Sequence, residues 1–223
     1  MVCTGVVPVF SNKPPNMMKK TLLALAAVCA MTSGAAFAQQ SSAEGPLMVR
    51  VRAVHLNSAN GGSTNPNLDL SINNKFIPEL DVSYFFTPNI AAELILTYPQ
   101  KQDIRSAGAD IGSLKHLPPT LLAQYHFTNF GGFKPYVGAG INYTRFSSVK
   151  FSPAVAHLQA DVGRNSWGGA LQLGVDIPLS KNMYLNFDVK KVYISTDVKS
   201  AGAKIGKFKV DPVLAGVGLG WRF

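Results

Sequence analysis

Charged and amide side chains recur in the middle of stretches that are otherwise apolar, and these side chains carry most of the chemistry that the sequence offers. An isolated charge is costly to remove from water, so acids and bases at such positions are expected to pair across an enclosed interior. Such a set would either hold a core shut by ion pairs or form a polar floor that blocks water and ions beneath an apolar pocket. The residues concerned are Arg50, Arg52, Glu79, Asp81, Glu93, Gln124, Asp176, Asp188, Lys190 and Arg222.

The histidines offer a second kind of chemistry, since they could serve a hydrolase or bind a metal. His55 and His116 fall near one end of predicted strands, His126 near the other end, and His157 in a loop. The sequence contains no G-x-S-x-G, no H-E-x-x-H and no compact histidine cluster with the spacing of metal ligands. We therefore predict that the protein is not an enzyme and has no catalytic residues, metal site or cofactor.

The chain alternates apolar and polar residues with the two-residue period of β-strands. In 47–57, Val49 and Val51 share one face, and Arg50 and Arg52 share the other. Aromatic residues cluster near the strand ends, as in membrane girdles, and charges are fewer than the outer face of a soluble periplasmic sandwich would carry. The same sorting recurs in 76–86, 90–98, 117–127, 135–144, 167–177, 184–193 and from about Lys209 to the C-terminus.

The connections between these eight stretches alternate in length. The second and third stretches are separated only by TPN, the fourth and fifth by TNFGG, and the sixth and seventh by PLSKN. The other links are each about a dozen residues or more. Short periplasmic turns and long extracellular loops are typical of an up-and-down barrel. Lipid offers an open sheet edge no hydrogen-bond partner, so the sheet must close. We predict an all-β fold, an eight-stranded antiparallel up-and-down transmembrane β-barrel, in preference to a periplasmic sandwich.

An export signal is predicted before the barrel. A basic stretch at Met18 to Lys20 is followed by an apolar, small-residue run and an A-x-A site that ends at Ala38. Residues 1–38 are therefore interpreted as an upstream extension plus a cleaved signal peptide, and 39–223 as a barrel addressed to the bacterial outer membrane.

Composition narrows the class of function further. Both cysteines, Cys3 and Cys29, fall in the segment that is predicted to be removed, which argues against disulfides and thiolate chemistry. Removal of Lys13, Lys19 and Lys20 with that segment lowers the formal charge from +9 to +6, which does not indicate a nucleic-acid partner for an envelope protein. Basic residues in the long loops would face lipopolysaccharide phosphates, and contact is predicted for Lys207 and Lys209, near the barrel.

Four segments resemble the OmpW family of small outer-membrane proteins: HLPPTLLAQYHF (116–127), FKPYVGAGINYT (133–144), SWGGALQLGVD (166–176) and the DPVLAGVGLGWRF ending. The resemblance implies an eight-stranded barrel with an unusually hydrophobic narrow channel, linked to passage of small apolar molecules and to stress responses. The family's seventh strand can carry a bulky aromatic that points into the lumen, where this sequence has Lys190. An apolar constriction would then rely on Ile95 and its neighbours.

The function predicted from these observations is a narrow channel for small hydrophobic molecules, whose lumen includes the inward polar residues and Ile95. The alternative is a non-conducting structural or surface-interaction barrel whose loops bind lipopolysaccharide or host molecules. The spacing of Gly218, Trp221 and Phe223 resembles the C-terminal signal read by the outer-membrane assembly machinery, and Trp221 and Phe223 are expected to face lipid at the periplasmic rim. Predicted partners are therefore membrane lipid, lipopolysaccharide, that machinery and small hydrophobic solutes.

Overall fold

Antiparallel strands make up nearly all the regular structure of residues 44–223, which are the residues that the computed structural model of this chain describes. The predicted signal peptide, 1–38, lies outside them. A short 3₁₀ helix spans Pro153–Leu158. The strands, in chain order, are β1 (Leu47–Asn57), β2 (Gly61–Thr64), β3 (Leu70–Ile72), β4 (Lys75–Phe85), β5 (Ile90–Leu96), β6 (Gln100–Ser106), β7 (Ala109–Leu117), β8 (Thr120–His126), β9 (Lys134–Phe151), β10 (Ala160–Val162), β11 (Asn165–Pro178), β12 (Met183–Val192), β13 (Ser195–Ser200), β14 (Ala203–Lys209) and β15 (Val213–Arg222).

Eight of these strands close into a barrel. The order around the barrel is β1, β4, β5, β8, β9, β11, β12 and β15, and β15 returns to pair with β1. At this last seam Met48 is opposite Arg222, and the backbones of Leu47 and Phe223 exchange two hydrogen bonds of 3.1 and 2.8 Å. The predicted eight-stranded all-β barrel is confirmed, and the C-terminal residues complete an edge that would otherwise be open.

The two faces of the barrel wall differ as the sequence period predicts. Arg50 and Arg52 on β1 are buried, whereas Val51 between them is 48% exposed. On β15, Val217 and Leu219 face outward while the alternate glycines face the interior. Because side chains alternate across a strand, one register places every second residue in the interior and the rest on the outer face. Exposed aromatics at the strand ends include Phe76, Tyr84, Phe86, Tyr98, Tyr125, Phe127, Trp167, Tyr193 and Phe223.

The three short connections predicted from the sequence are tight turns at one end of the barrel, the end that also holds the two chain ends of 44–223. They span 86–89, 127–133 and 179–182. In the first turn, the Thr87 hydroxyl accepts a hydrogen bond of 2.9 Å from the Ile90 amide. In the second, Gly131 and Gly132 adopt positive φ angles of 53° and 130°, which glycine reaches without steric cost.

The long connections were expected to be loops, but much of their length is sheet. The β6–β7 hairpin pairs with the outer part of β9, β3 pairs with β6, and a second sheet has the order β10, β13, β14, β2. We call these strands, together with the outer part of β9, the extracellular extension. Its segments are rich in glycine, serine and lysine, so their strand character depends on partners distant in sequence rather than on local propensity.

One predicted boundary was wrong. The last barrel strand was expected from about Lys209, but Lys209 ends β14 and the barrel strand begins at Val213. Asp211 has a φ of 31° and Pro212 has no N–H to donate, so the chain turns at this point between the two sheets.

Closure of the barrel depends on a close approach at Gly218. A Cβ atom there would lie 2.1 Å from the carbonyl oxygen of Val51 and 2.7 Å from the Cα of Arg52. Gly218→Val is therefore expected to lose most of the folded barrel, measured as the difference in gel migration between heated and unheated samples in detergent. Val217→Leu changes the adjacent outward position and should fold normally. A Gly218→Val protein that folded in full yield would contradict this close packing at the seam.

Candidate functional site

Side chains that point into the middle of the barrel form a dense set of ion pairs. Inward positions of β1 contribute Arg50 and Arg52, which the register places opposite Asp81 and Glu79 of β4. Glu93 enters from β5, next to Ser83 in the register. The strand period thus places several charges at one depth, and we call the set the ionic layer. Its charged members are Arg50, Arg52, Glu79, Asp81, Glu93, Asp176, Asp188 and Lys190.

Arg50 links three sides of the barrel. Its Nε and Nη2 donate to the two oxygens of Asp176 at 3.2 and 2.7 Å, which is the bidentate arrangement favoured by guanidinium and carboxylate. Its Nη1 donates to the Ser83 hydroxyl at 2.7 Å and to Glu93 at 3.2 Å. The guanidinium lies 5.4 Å from the centre of the Tyr136 ring.

Arg52 is the centre of the ionic layer, because it forms ion pairs with four carboxylates. Its Nε lies 2.5 Å from Asp81 and 3.3 Å from Glu79. Its Nη2 lies 3.0 Å from Glu93, and its Nη1 lies 3.1 Å from Asp188. The Arg52 side chain has no exposed surface, so the strength of these pairs is not reduced by bulk water.

Lys190 and two glutamines complete the layer. The Lys190 Nζ lies 2.5 Å from Glu79 and 3.0 Å from Asp188, which connects β12 with β4. Gln172 donates to Glu93 at 2.9 Å and to Asp188 at 2.8 Å. Gln124 in turn donates to Gln172 at 2.7 Å. The layer therefore spans the whole cross-section of the barrel.

The predicted lumen set also lacked Gln172, Asn186 and Tyr136. Asn186 donates to Asp176 at 2.8 Å and to the Tyr136 hydroxyl at 3.0 Å. A Cβ on Gly174 would lie 2.3 Å from the Tyr136 ring, so glycine at 174 makes room for that ring. All three share the inward parity of their strands, so the same two-residue period could have identified them.

The periplasmic end of the interior contains a separate cluster. Arg222, expected among the inward charges, lies here rather than in the ionic layer, and its Nη1 pairs with Glu44 at 2.5 Å. Its guanidinium stacks 3.8 Å from the centre of the Phe85 ring. Glu44 also accepts hydrogen bonds from Lys134 and Tyr184. Burial raises the pKa of Glu44, but the hydrogen bonds from Lys134 and Tyr184 and the charges of Lys134 and Arg222 outweigh burial and hold the pKa below its ordinary value.

The opposite, extracellular half of the interior is apolar. On β1 the inward residues change from Arg50 and Arg52 to Val54 and Leu56, which belong to a large cluster of buried apolar side chains. The extracellular extension continues this cluster around a cavity that we call the apolar chamber. Part of the chamber is open to solvent, and its cavity volume is about 70 Å³. Its lining includes Leu70, Ile72, Ile104, Leu114, Phe146, Phe151, Val162, Val198, Phe208 and Val210.

Ile95 lies at the boundary between the two regions. It is one inward step along β5 from Glu93 and is 4% exposed. A smaller cavity below the chamber is lined by Ile95, Leu56 and Ile77, and also by Glu79 and Lys190 of the ionic layer. Lys190 is buried in the lumen, as the inward parity of its strand predicts.

The lysines predicted to contact lipopolysaccharide lie on the surface of the extension. Lys207 and Lys209 are exposed residues of β14. Neighbouring Lys204 pairs with Asp197 at 2.8 Å, whereas within 44–223 neither Lys207 nor Lys209 has a carboxylate within 4.0 Å.

The histidines do not come together. His126 is stacked on Tyr136 below the ionic layer, at 4.8 Å between ring centres, whereas His116 lines the chamber above it. In the described part of the chain, no group of three or more His, Cys, Asp or Glu side chains could hold a metal ion.

Sequence comparison identifies the family of this eight-stranded barrel. A model of the OmpW family matches residues 43–223. The chain belongs to the OmpW family. The uncharacterised outer-membrane protein y4mB of Sinorhizobium fredii is 45% identical over 186 residues, which cover 80% of each chain. Outer membrane protein W of Vibrio cholerae is 33% identical and covers 92% of this chain and 100% of its own.

Solved structures and a further relative agree with this assignment. The solution structure of outer membrane protein W of Escherichia coli is similar with a TM-score of 0.61 at 31% identity, covering 82% of this chain and 100% of that one. A Pseudomonas aeruginosa relative, named dibenzothiophene metabolism operon protein PahQ, is 28% identical over 73% of this chain and 76% of its own. As an OmpW-family barrel, the protein is located in the outer membrane and contacts its lipid.

Arg52 provides a test of the ionic layer. Arg52→Met leaves four buried carboxylates without their shared cation and is expected to lower the free energy of unfolding by about 3–5 kcal/mol. Urea unfolding in lipid vesicles, followed by the fluorescence of Trp167 and Trp221, would measure the change. Lys209→Met removes an exposed cation and should change stability by less than about 0.5 kcal/mol. Equal stability of Arg52→Met and the unaltered protein would show that the layer does not depend on Arg52.

Proposed function

We propose that this barrel admits small hydrophobic molecules into the apolar chamber from outside the cell and releases them sideways into the membrane, while the ionic layer blocks water and ions. The observation that carries the proposal is the placement of the chamber directly above the layer. An apolar solute gains from leaving water for a lining of aliphatic and aromatic side chains. It cannot continue down the axis, because charged and amide side chains fill the barrel there.

A weak point in the wall supports the sideways route. On its β1 side, β4 is paired as far as Lys75, but on its β5 side the pairing stops at Leu80 opposite Leu96. Beyond Leu80, the contacts to β4 include a hydrogen bond of 2.9 Å from the Thr97 hydroxyl to the Pro78 carbonyl. We call this part of the wall the β4 seam. Ile77 and Ile95 lie beside it on the inner face. An apolar solute in the smaller cavity would therefore be next to a part of the wall where β4 has no strand pairing on its β5 side.

The name of one relative supports an apolar cargo. PahQ is named for an operon of dibenzothiophene metabolism, and dibenzothiophene is an uncharged aromatic compound. A similar cargo class for this chain is consistent with a chamber that is lined almost wholly by apolar side chains.

A charge at Ile95 tests the route. Ile95→Asp would bury an additional carboxylate beside the β4 seam. An apolar solute cannot solvate a buried unpaired charge, so its entry there becomes unfavourable. Uptake of a small aromatic hydrocarbon by cells that carry the variant is therefore expected to fall about tenfold or more. Ile95→Leu keeps the volume and polarity and should retain uptake. Both variants must first show the heat-dependent gel shift of a folded barrel.

The same preparations would be examined in planar bilayers, where the unaltered barrel should show no large ion conductance. A large, non-selective conductance would contradict a closed ionic layer, and uptake by Ile95→Asp equal to that of the unaltered protein would contradict the route.

A second candidate function, binding of lipopolysaccharide by the extension, is favoured by the exposed Lys207 and Lys209, which form no ion pair with the described residues. Replacing both by glutamine is expected to reduce the lipopolysaccharide that copurifies with the protein several-fold, since each ammonium near an anionic surface contributes about 1 kcal/mol. Replacing Lys181 by glutamine removes a cation from a turn at the opposite, periplasmic end, and this variant should retain lipopolysaccharide as the unaltered protein does. Unchanged retention in the double variant would exclude these two lysines as the contact.

A further inference from the structure

Besides Ser106 and Thr196, which also line the chamber, three larger polar side chains face the mostly apolar interior of the extracellular extension. They are Gln100 and Gln102 of β6 and His116 of β7. The hairpin register places Gln100 opposite His116 and Gln102 opposite Leu114. The next inward residue of β6 is Ile104, and Ile104, Leu114 and His116 all line the apolar chamber. The strand period therefore puts the two glutamines on the face of the hairpin that forms the chamber wall.

The hydrogen-bonding capacity of these side chains is largely unused. Gln102 has no exposed surface, and neither its amide oxygen nor its amide nitrogen has a partner among residues 44–223. Gln100 donates to the Tyr98 carbonyl at 3.1 Å and to Thr97 at 3.4 Å, but its own amide oxygen has no partner in the same part of the chain.

His116 adds a further donor and acceptor. It is 4% exposed, and its ring forms no hydrogen bond with the described residues. Burial, and to a lesser extent the charge of Lys75, lowers the pKa of His116 to about 4. Near neutral pH the ring is therefore uncharged, with one nitrogen that donates and one that accepts.

An unpaired amide inside an apolar cluster destabilises a fold, because it has lost its bonds to water and gained none in return. Leucine at 102 would have a similar size without this cost. A structural role for the Gln102 amide is not supported, since it bonds to none of the described residues. Gln102 is adjacent along the hairpin to the chamber-lining residues Ile104, Leu114 and His116. A buried polar group with unused hydrogen-bonding capacity beside an apolar cavity points instead to a polar group on a ligand.

The position of His116 connects this polar set with the exit. His116 lines both the chamber and the smaller cavity below it, which also contains Thr97, Ile77 and Ile95 beside the β4 seam. A solute whose polar group reached His116 would keep its apolar body in the chamber, next to the proposed route.

We propose that Gln100, Gln102 and His116 form a subsite for one uncharged hydroxyl or carbonyl group, so that the preferred solutes are neutral amphiphiles such as medium-chain alcohols and ketones rather than plain hydrocarbons. This proposal rests on the proposed uptake of hydrophobic molecules. The two charged residues that line the smaller cavity below the chamber, Glu79 and Lys190, are already paired with each other at 2.5 Å. A charged head group would therefore lose water without gaining a free counter-ion there.

The test compares uptake of radiolabelled 1-octanol, octanoate and n-octane by cells that carry the barrel, after subtraction of uptake by cells that lack it. The unaltered protein should favour octanol over both other solutes. In the double variant Gln102→Leu with His116→Phe, the ratio of octanol to octane uptake should fall about tenfold while octane uptake is maintained. Lys101→Gln, at the exposed outward position between the two glutamines, leaves the inner face of the hairpin unaltered and should keep the original ratio.

The outcomes separate the subsite from the route. If no solute enters faster with the barrel than without it, the proposed function fails. If octane and octanol both enter but the ratio is the same in the double variant, the subsite is overturned while the route stands. A preference for octanoate would also overturn it, and would point to an anion attracted by Lys75.

Stability gives an independent readout. Gln102→Leu should raise the urea midpoint of the barrel in lipid vesicles, because it removes an unpaired buried amide and keeps the volume. A lower midpoint would mean that the Gln102 amide supports the fold, which would overturn its assignment to the subsite.

Discussion

The constraint on which the rest of the structure depends is that lipid cannot complete a backbone hydrogen bond. Every barrel strand must therefore have a neighbour on both sides, and the sheet must close. Closure brings Leu47 against Phe223 and fixes one register from β1 to β15. Because side chains alternate across each strand, that register also decides which residues face lipid and which face the interior. The sorting of Arg50 and Arg52 from Val49 and Val51 follows from this.

A closed barrel of eight strands has an interior that side chains can just fill. Charges that point into it lose their water and must find partners within a few ångströms. Arg52 meets this requirement with four carboxylates, and Lys190 joins Glu79 to Asp188. Such a layer contributes less to stability than its bonds suggest, since desolvation offsets much of the attraction. Its clearer consequence is that charged and amide side chains occupy the interior at this depth, whereas the interior on the extracellular side is apolar.

The chamber depends on segments that continue the barrel beyond the membrane. Ile104 and Leu114 come from the β6–β7 hairpin, and Phe208 comes from β14. These strands pair with partners far away in sequence, such as β14 with β2. The same extension carries Gln102, whose buried amide has no partner in 44–223 and conflicts with the surrounding apolar packing. Such local conflicts between sequence and environment are expected at functional sites more than in a structural core.

The sequence by itself determined the eight barrel strands, the alternation of short and long connections, and the parity that sends Arg50, Glu93, Asp176 and the other predicted charges inward. It did so because each strand of a membrane barrel has one face toward lipid and one toward the interior, and side chains alternate strictly between these two faces. Only the tertiary structure decided which of these charges meet: Arg222 shares their parity but pairs with Glu44 at the periplasmic end. Only it revealed the extension strands and the chamber, because their pairing depends on partners that no local pattern specifies.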